Sequence, residues 1–121
     1  AELDPDAYVP AVGQGAIGLE TREGREDVDE LLEPILDPET VEAVEAERIV
    51  MNRLEGGCSV PLGAHCRRVD DTWHLKAWVG SPDGRQTLVE SAEGADARAM
   101  ARTMAQALID RGARDILDSP T

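Results

Sequence analysis

Cys58 is the residue of this chain whose type and setting best suit covalent chemistry. It lies in the run LEGGCSVPLGAH, Leu54 to His65, after two glycines and before Ser-Val-Pro. The glycines lack a Cβ and allow a sharp backbone turn, and Pro61 restricts how the chain leaves that turn. Residues 39–54 have a helical pattern, so we expect Cys58 on a short loop just beyond a helix end. A thiol presented in this way can carry a covalently bound group.

Four arginines lie close to Cys58 in the sequence: Arg48, Arg53, Arg67 and Arg68. Arginines beside a thiol favour its thiolate form, and guanidinium groups pair with the carboxylates of an anionic ligand. The alternative is that these arginines balance Glu45, Glu47 and Glu55 on a solvated helix face, because most charge runs are solvated. The local chemistry alone favours neither interpretation.

The spacing of cysteine and histidine disfavours a metal site. Cys58, His65, Cys66 and His74 fit no common zinc pattern, and His65 and Cys66 would point to opposite faces of a strand. We therefore expect no metal ion, a small, half-buried strand residue at Cys66, and ordinary surface or edge residues at His65 and His74.

A Gly-x-Gly-x-x-Gly pattern at Gly13, Gly15 and Gly18 has the form of a dinucleotide fingerprint. Its context is wrong, because Pro10 interrupts the strand that should precede it and the polar LETREG follows where a helix should begin. A loop that needs close backbone approach is favoured over a nucleotide site.

The composition is that of a folded and strongly acidic domain. The chain has 121 residues, 41% of them hydrophobic, which suffices for one core. No apolar run approaches the roughly 18 residues that span a bilayer. The net charge of −13, from 25 acidic and 12 basic residues, opposes binding to nucleic acid or to anionic membranes.

The same composition predicts the compartment. Two cysteines and an acidic N-terminal stretch without a basic and apolar leader indicate a reducing, cytoplasmic location with free thiols. Lys76 is the only lysine. An acidic surface so poor in lysine is typical of a halophilic cytoplasm, where salt screens the repulsion between charges.

Hydrophobic periodicity predicts an α+β fold. Apolar residues have helical spacing over 28–36 and 38–54, with Asp37-Pro38 as the boundary between the two helices. Three strand-like runs follow, GAHCRRV, WHLKAWV and QTLVESA, and then 96–111 shows one apolar helical stripe. We expect a three-stranded antiparallel sheet with helices packed on one face, preceded by an N-terminal strand-helix segment.

Two long motifs resemble the porphobilinogen deaminase (hydroxymethylbilane synthase) family. AERIVMNRLEGGCSVPLGAH is similar to the cofactor-attachment region of that family, and PAVGQGAIGLE, residues 10–20, is similar to a second motif at the matching distance upstream. The VGSPDG turn and the closing ALIDRGARDIL also match the end of the family's sequences. The resemblance covers nearly the whole chain.

The resemblance implies a transferase of porphyrin and haem biosynthesis. This family condenses four porphobilinogen molecules into the linear tetrapyrrole hydroxymethylbilane and releases ammonia. It holds a dipyrromethane cofactor as a thioether on the loop cysteine, which here is Cys58, next to Gly57. Arg48 matches a family arginine close to the carboxylates of cofactor and substrate, and Gln14 matches a position that lines the cleft between domains. These four residues are the expected cofactor-binding set.

The resemblance also implies that the chain is the C-terminal part of an enzyme with three domains. Residues 1–37 would be the end of the preceding domain and a crossover segment, and residues 38–121 the cofactor-carrying domain. The family's catalytic aspartate lies before this chain begins, so no residue here is expected to be catalytic and the chain alone is expected to be inactive. The expected partners are the two N-terminal domains, porphobilinogen and the growing tetrapyrrole, in an enzyme that is monomeric when complete.

Two alternatives stay open. One is a free-standing, acidic, non-catalytic domain that binds a partner protein. The other is a redox thiol protein, which the lack of a C-x-x-C pair disfavours.

Overall fold

The computed structural model describes residues 9–14, 16, 23–54 and 61–117. Its elements in chain order are α1 (Glu26–Leu32), a 3₁₀ turn (Glu33–Ile35), α2 (Pro38–Arg53), β1 (Leu62–Val69), β2 (Thr72–Gly80), β3 (Thr87–Gly94), α3 (Ala97–Asp110) and α4 (Ala113–Leu117). The strands form an antiparallel sheet in the order β1-β2-β3. The α+β fold expected from the sequence is confirmed.

Two tight turns fix the register of the sheet. Asp70 and Asp71 join β1 to β2, and both have positive φ, 49° and 66°, as a two-residue hairpin turn of type I′ requires. In the turn from β2 to β3, Gly84 has φ 75°, and the N–H of Ser81 donates to the carbonyl of Gln86 at 2.8 Å. Glycine adopts positive φ without strain, which is why the sequence predicted a turn there.

Helices α2 and α3 begin where the sequence predicts. The carboxylate of Asp37 accepts a hydrogen bond from the N–H of Glu39 at 3.2 Å, and Pro38 is the first residue of α2. The carboxylate of Asp96 accepts from the N–H of Ala99 at 3.0 Å at the start of α3. Each carboxylate satisfies one of the N–H groups that a helix leaves without an intrahelical partner.

The core lies between the sheet and the helices on one of its faces. Alternate residues of β2 from Trp73 to Val79 are buried beneath the helices. The apolar stripe predicted for α3 supplies buried residues that include Met104 and Leu108, and α2 supplies Val50. The expectation that the helices pack on one face of the sheet is confirmed.

The helix expected over 28–36 is broken. Helix α1 ends at Leu32, and residues 33–35 form a 3₁₀ turn, because Pro34 has no N–H with which to continue the helical hydrogen bonds. The short strand expected within residues 8–20 falls largely outside the described residues. Within the described ranges, no helix is both long and apolar enough to cross a membrane.

Candidate functional site

Two of the four expected cofactor-binding residues, Cys58 and Gly57, lie outside the described residues. The residues that flank them are firmly placed. Leu54 is only 2% exposed, and the carbonyl of Pro61 accepts a hydrogen bond from the N–H of Gly80 at 2.9 Å. The structure therefore fixes both ends of the segment that carries Cys58.

Gln14 lies in a tight turn within the Gly-rich motif. Gly13 has φ 72°, and the N–H of Gln14 donates to the carbonyl of Ala11 at 3.1 Å. The side chain closes the same turn, because Oε1 of Gln14 accepts from the N–H of Ala11 at 3.0 Å. The part of Gln14 suited to a ligand is therefore its amide nitrogen, a hydrogen-bond donor.

The chain just before this turn runs along the outer edge of β1. The carbonyl of Pro10 accepts from the N–H of Ala64 at 3.0 Å. The carbonyl oxygens of Val9 and Pro10 each lie 2.8 Å from the place that a Cβ on Gly63 would occupy, so this approach requires glycine. The close backbone approach predicted for the Gly-rich motif is not seen at Gly13, where nothing lies within 4 Å of a Cβ position, and Gly15 and Gly18 lie outside the described residues. The segment nevertheless covers part of an otherwise open strand edge.

A buried carboxylate joins the turn to the sheet. Glu47 of α2 is 5% exposed. Its Oε1 accepts from the N–H of Gly13 at 2.7 Å, and its Oε2 accepts from the N–H of Cys66 at 2.9 Å. Burying a carboxylate is costly unless hydrogen bonds satisfy its oxygens, and each oxygen of Glu47 has such a bond.

Glu47 is a buried polar residue that sequence reasoning missed. The sequence indicates a role for it only in the alternative in which the arginines balance Glu45, Glu47 and Glu55 on a solvated helix face. The signal that could have found it is its spacing, because Glu47 precedes Val50 and Leu54 by one and two helical turns, and both are buried. An acidic residue on the buried face of a helix indicates a specific partner.

A shallow cleft of about 230 Å³ lies between the turn, α2 and β1, and Gln14, Glu47, Arg67 and Arg68 are among its lining residues. Arg48 is not one of them. The side chain of Arg48 is 57% exposed, and its Nη1 lies 3.8 Å from Oε1 of Glu45. The structure thus places Gln14 and Glu47 along the same cleft, and Arg48 is not part of its lining.

The thiol of Cys66 is unreactive. Cys66 is a free cysteine and is 4% exposed. Burial, together with the negative charges of Glu47 and Glu42, raises the pKa of its thiol to about 12. A thiol that stays protonated at neutral pH is a poor nucleophile. The expected structural role of Cys66 is confirmed, although the side chain is buried rather than half-buried.

The two histidines lie on the side of the sheet away from the helices. His65 and His74 line a shallow depression on that side together with Lys76. Nδ1 of His74 is 3.8 Å from Oε2 of Glu93. His65 and Cys66 point to opposite faces of β1, as expected, and the described residues contain no group of three metal-ligating side chains.

Comparison with known proteins decides the family. Residues 41–110 match the model of the C-terminal domain of porphobilinogen deaminase. This chain belongs to the porphobilinogen deaminase family. It is 48% identical over 118 residues to the porphobilinogen deaminase of Syntrophobacter fumaroxidans and 46% identical over 117 residues to that of Halalkalibacterium halodurans.

These alignments cover nearly all of the chain but only part of each relative. Each covers 96% of this chain and 38% of the relative. The porphobilinogen deaminase of Thiobacillus denitrificans, 43% identical over 119 residues, gives 97% and 39%. The chain therefore spans less than two fifths of the length of these relatives, and it corresponds to their C-terminal part.

Proposed function

We propose that this chain is the C-terminal, cofactor-carrying part of an enzyme that condenses four porphobilinogen molecules into hydroxymethylbilane and releases ammonia. The observation that carries the proposal is the family match over residues 41–110, which spans α2 to α3. Residues 38–121 form the cofactor-carrying domain, and residues 1–37 are the end of the preceding domain and a crossover segment. The enzyme is a cytoplasmic transferase of haem biosynthesis.

Cys58 is the attachment point of the dipyrromethane cofactor, through a thioether. The chain has two cysteines, and Cys66 is unsuited because its buried thiol has a pKa of about 12. Cys58 is a few residues from the fixed positions of Leu54 and Pro61, so chain geometry keeps it within about 14 Å of both. The bound cofactor supplies the primer to which pyrrole units are added.

Arg48 and Gln14 bind the acetate and propionate groups of the cofactor and the growing chain. The nearest carboxylate oxygen to Arg48 that the structure shows is 3.8 Å away, at Glu45, which is beyond good hydrogen-bond distance. The exposed guanidinium can therefore turn to a ligand carboxylate and bind it through two parallel hydrogen bonds. Gln14 offers its amide nitrogen to the same kind of acceptor.

The part of the enzyme that precedes this chain supplies the catalytic aspartate, so this chain alone is inactive. Large apolar side chains with no cover are concentrated between residues 31 and 41 of the described chain. Leu31, Ile35, Leu36 and Val41 are 77%, 67%, 47% and 40% exposed. Exposed apolar side chains concentrated in one short stretch of chain are typical of a protein interface. Its partner is the pair of N-terminal domains, within an enzyme that is monomeric when complete.

The alternative function is a free-standing, non-catalytic acidic domain that binds another protein. The exposed strip at residues 31–41 suits that function as well. The two hypotheses differ in two respects that can be measured directly. Only the enzyme hypothesis requires a modified thiol at Cys58 and a tight association with the N-terminal domains.

The test compares four samples for hydroxymethylbilane formation from porphobilinogen. The longer polypeptide, in which the two N-terminal domains precede this chain, is expected to be active. Its Cys58→Ser variant is expected to be inactive and without bound cofactor, and its Cys66→Ser variant to be active and to carry the cofactor. The 121-residue chain alone is expected to form no product. Equal loss in the two serine variants, or activity in the chain alone, would overturn the proposal.

A further inference from the structure

We propose that Glu47 is a positioning residue, which fixes the turn of residues 11–14, and with it Gln14, to the domain that carries Arg48 and Cys58. The contact itself is a feature of the structure. Its consequence for ligand binding rests on the proposed function, through the roles given there to Gln14 and Arg48.

Glu47 joins three separate parts of the chain through one side chain. It belongs to α2, and its two oxygens accept from Gly13 at 2.7 Å, which is 34 residues away, and from Cys66 at 2.9 Å, which is 19 residues away. The bond between the carbonyl of Pro10 and the N–H of Ala64 lies alongside and holds the same segment against β1. The turn is therefore attached to both the helix and the sheet.

The site requires a carboxylate. Both backbone groups that face Glu47 are donors, so the side chain must present two acceptors. Glutamine has the same shape but only one acceptor, and its NH₂ group would face an N–H. Glu47 is only 5% exposed, so a donor left there without an acceptor is costly, whereas two charge-assisted hydrogen bonds are strong.

This contact crosses the proposed boundary at residue 37 between the preceding domain and the cofactor-carrying domain. Glu47 and Arg48 are neighbours on α2, and Glu47 is buried while Arg48 is exposed. The turn is itself closed by the bond between Oε1 of Gln14 and the N–H of Ala11, so Gln14 moves with Gly13. One carboxylate thus sets the distance between two ligand-binding residues that belong to different domains.

The contact is tested in the 121-residue chain, by NMR. A scalar coupling across the hydrogen bond is expected between the amide nitrogen of Gly13 and the side-chain carboxyl carbon of Glu47. This measurement needs no variant. Its absence, together with unprotected exchange of the Gly13 amide, would overturn the proposal.

Amide exchange in a matched pair of variants then isolates the carboxylate. In Glu47→Gln the amide of Gly13 or that of Cys66 is expected to exchange about 10- to 100-fold faster, the factor for losing a hydrogen bond to a charged acceptor. The amides of β2 should keep their protection. The control is Glu42→Gln on the same helix, because Glu42 bonds Arg98 at 3.1 Å instead, and neither amide should change there. Equal exchange in both variants would contradict the proposal.

The positioning role is tested in the longer polypeptide by combining Glu47→Gln with Gln14→Ala. If Glu47 acts through Gln14, each change raises KM for porphobilinogen, and the double variant is no worse than the more impaired single variant. Fully additive losses would mean that Glu47 does not act through Gln14. If Gln14→Ala has no effect while the Gly13 amide is still freed by Glu47→Gln, the role proposed for Gln14 fails and the contact stands.

Discussion

Cys66 of β1 and Glu47 of α2 are joined by a hydrogen bond, and each affects the chemistry of the other. The N–H of Cys66 donates to Oε2 of Glu47, while burial and the charge of Glu47 raise the pKa of the Cys66 thiol to about 12. The neutral thiol packs in the core as a small hydrophobic group. This supports the proposal that the other cysteine of the chain, Cys58, is the attachment point.

The raised pKa of Cys66 predicts a loss of stability in alkali. Above pH 9, the thiol loses its proton in the unfolded chain but keeps it in the folded chain. This ionisation stabilises the unfolded state relative to the folded state. The free energy of unfolding should fall by up to about 1.4 kcal/mol per pH unit more than in a Cys66→Ala variant. Urea unfolding from pH 8.5 to 10.5 measures the two slopes, and equal slopes would show that the thiol ionises freely in the folded chain.

For single residues, the sequence predicts a role that depends on neighbouring positions in the chain. It does not predict a role that depends on contacts between distant parts of the chain. The structural role of Cys66 could be predicted from its place in an alternating strand pattern. The contact of Glu47 could not, because its two partners lie 34 and 19 residues away. A carboxylate in a charged run usually faces water. The spacing of Glu47 from Val50 and Leu54 indicates the buried side of α2, but only the fold shows which groups it meets there.

At the scale of elements, stability resides in the layer formed by the sheet and the helices α2 and α3. Helix α1 adds little to this core, since it has no buried residue. The two long helices and the three strands could be predicted because their periodicity and caps are local. The segment along β1 could not, since tertiary contacts decide where those residues lie. The break at Pro34 has a local cause, which the helical periodicity of 28–36 did not take into account.

Two leucine variants measure the difference between α3 and α1. Leu108 in α3 is fully buried, whereas Leu31 in α1 is 77% exposed. Leu108→Ala is expected to lower the free energy of unfolding by about 2–5 kcal/mol, since it leaves a cavity in the core. Leu31→Ala should change it by less than about 0.5 kcal/mol. Urea denaturation followed by circular dichroism gives both values, and a comparable loss in the two variants would mean that α1 packs on the core.

The whole molecule is dominated by its charge of −13. Repulsion between like charges opposes the compact state, and salt reduces it. From about 0.1 M to about 1 M salt, the Debye length falls from about 10 Å to about 3 Å. The high-salt habitat suggested by the composition remains a prediction.

Stability should therefore increase with salt. We expect the urea midpoint of the chain to rise between low and molar sodium chloride, because screening weakens the repulsion in the folded state more than in the expanded one. Sodium chloride is preferred to sulfate, which stabilises proteins by exclusion from their surface whatever their charge. A midpoint that is unchanged or lower in molar sodium chloride would show that self-repulsion is not a significant cost in this fold.

Two observations support the proposal that this chain packs against further parts of a larger protein. One is the exposed strip of residues 31–41, and the other is that the chain matches only part of the length of its relatives. The described core is complete around the sheet, yet the segment before it presents apolar side chains to solvent. The chain corresponds to the C-terminal part of its longer relatives, and we propose that it contributes the attachment cysteine.

The most direct measurement is the mass of the peptide that contains both cysteines, taken from the active longer polypeptide. Trypsin cleaves after Arg53 and Arg67, so Cys58 and Cys66 fall in one peptide and fragmentation must separate them. We predict the added mass of two linked pyrrole units on Cys58 and an unmodified Cys66. Added mass on Cys66, or an active enzyme with an unmodified Cys58, would contradict the assignment of Cys58 as the anchor of the cofactor.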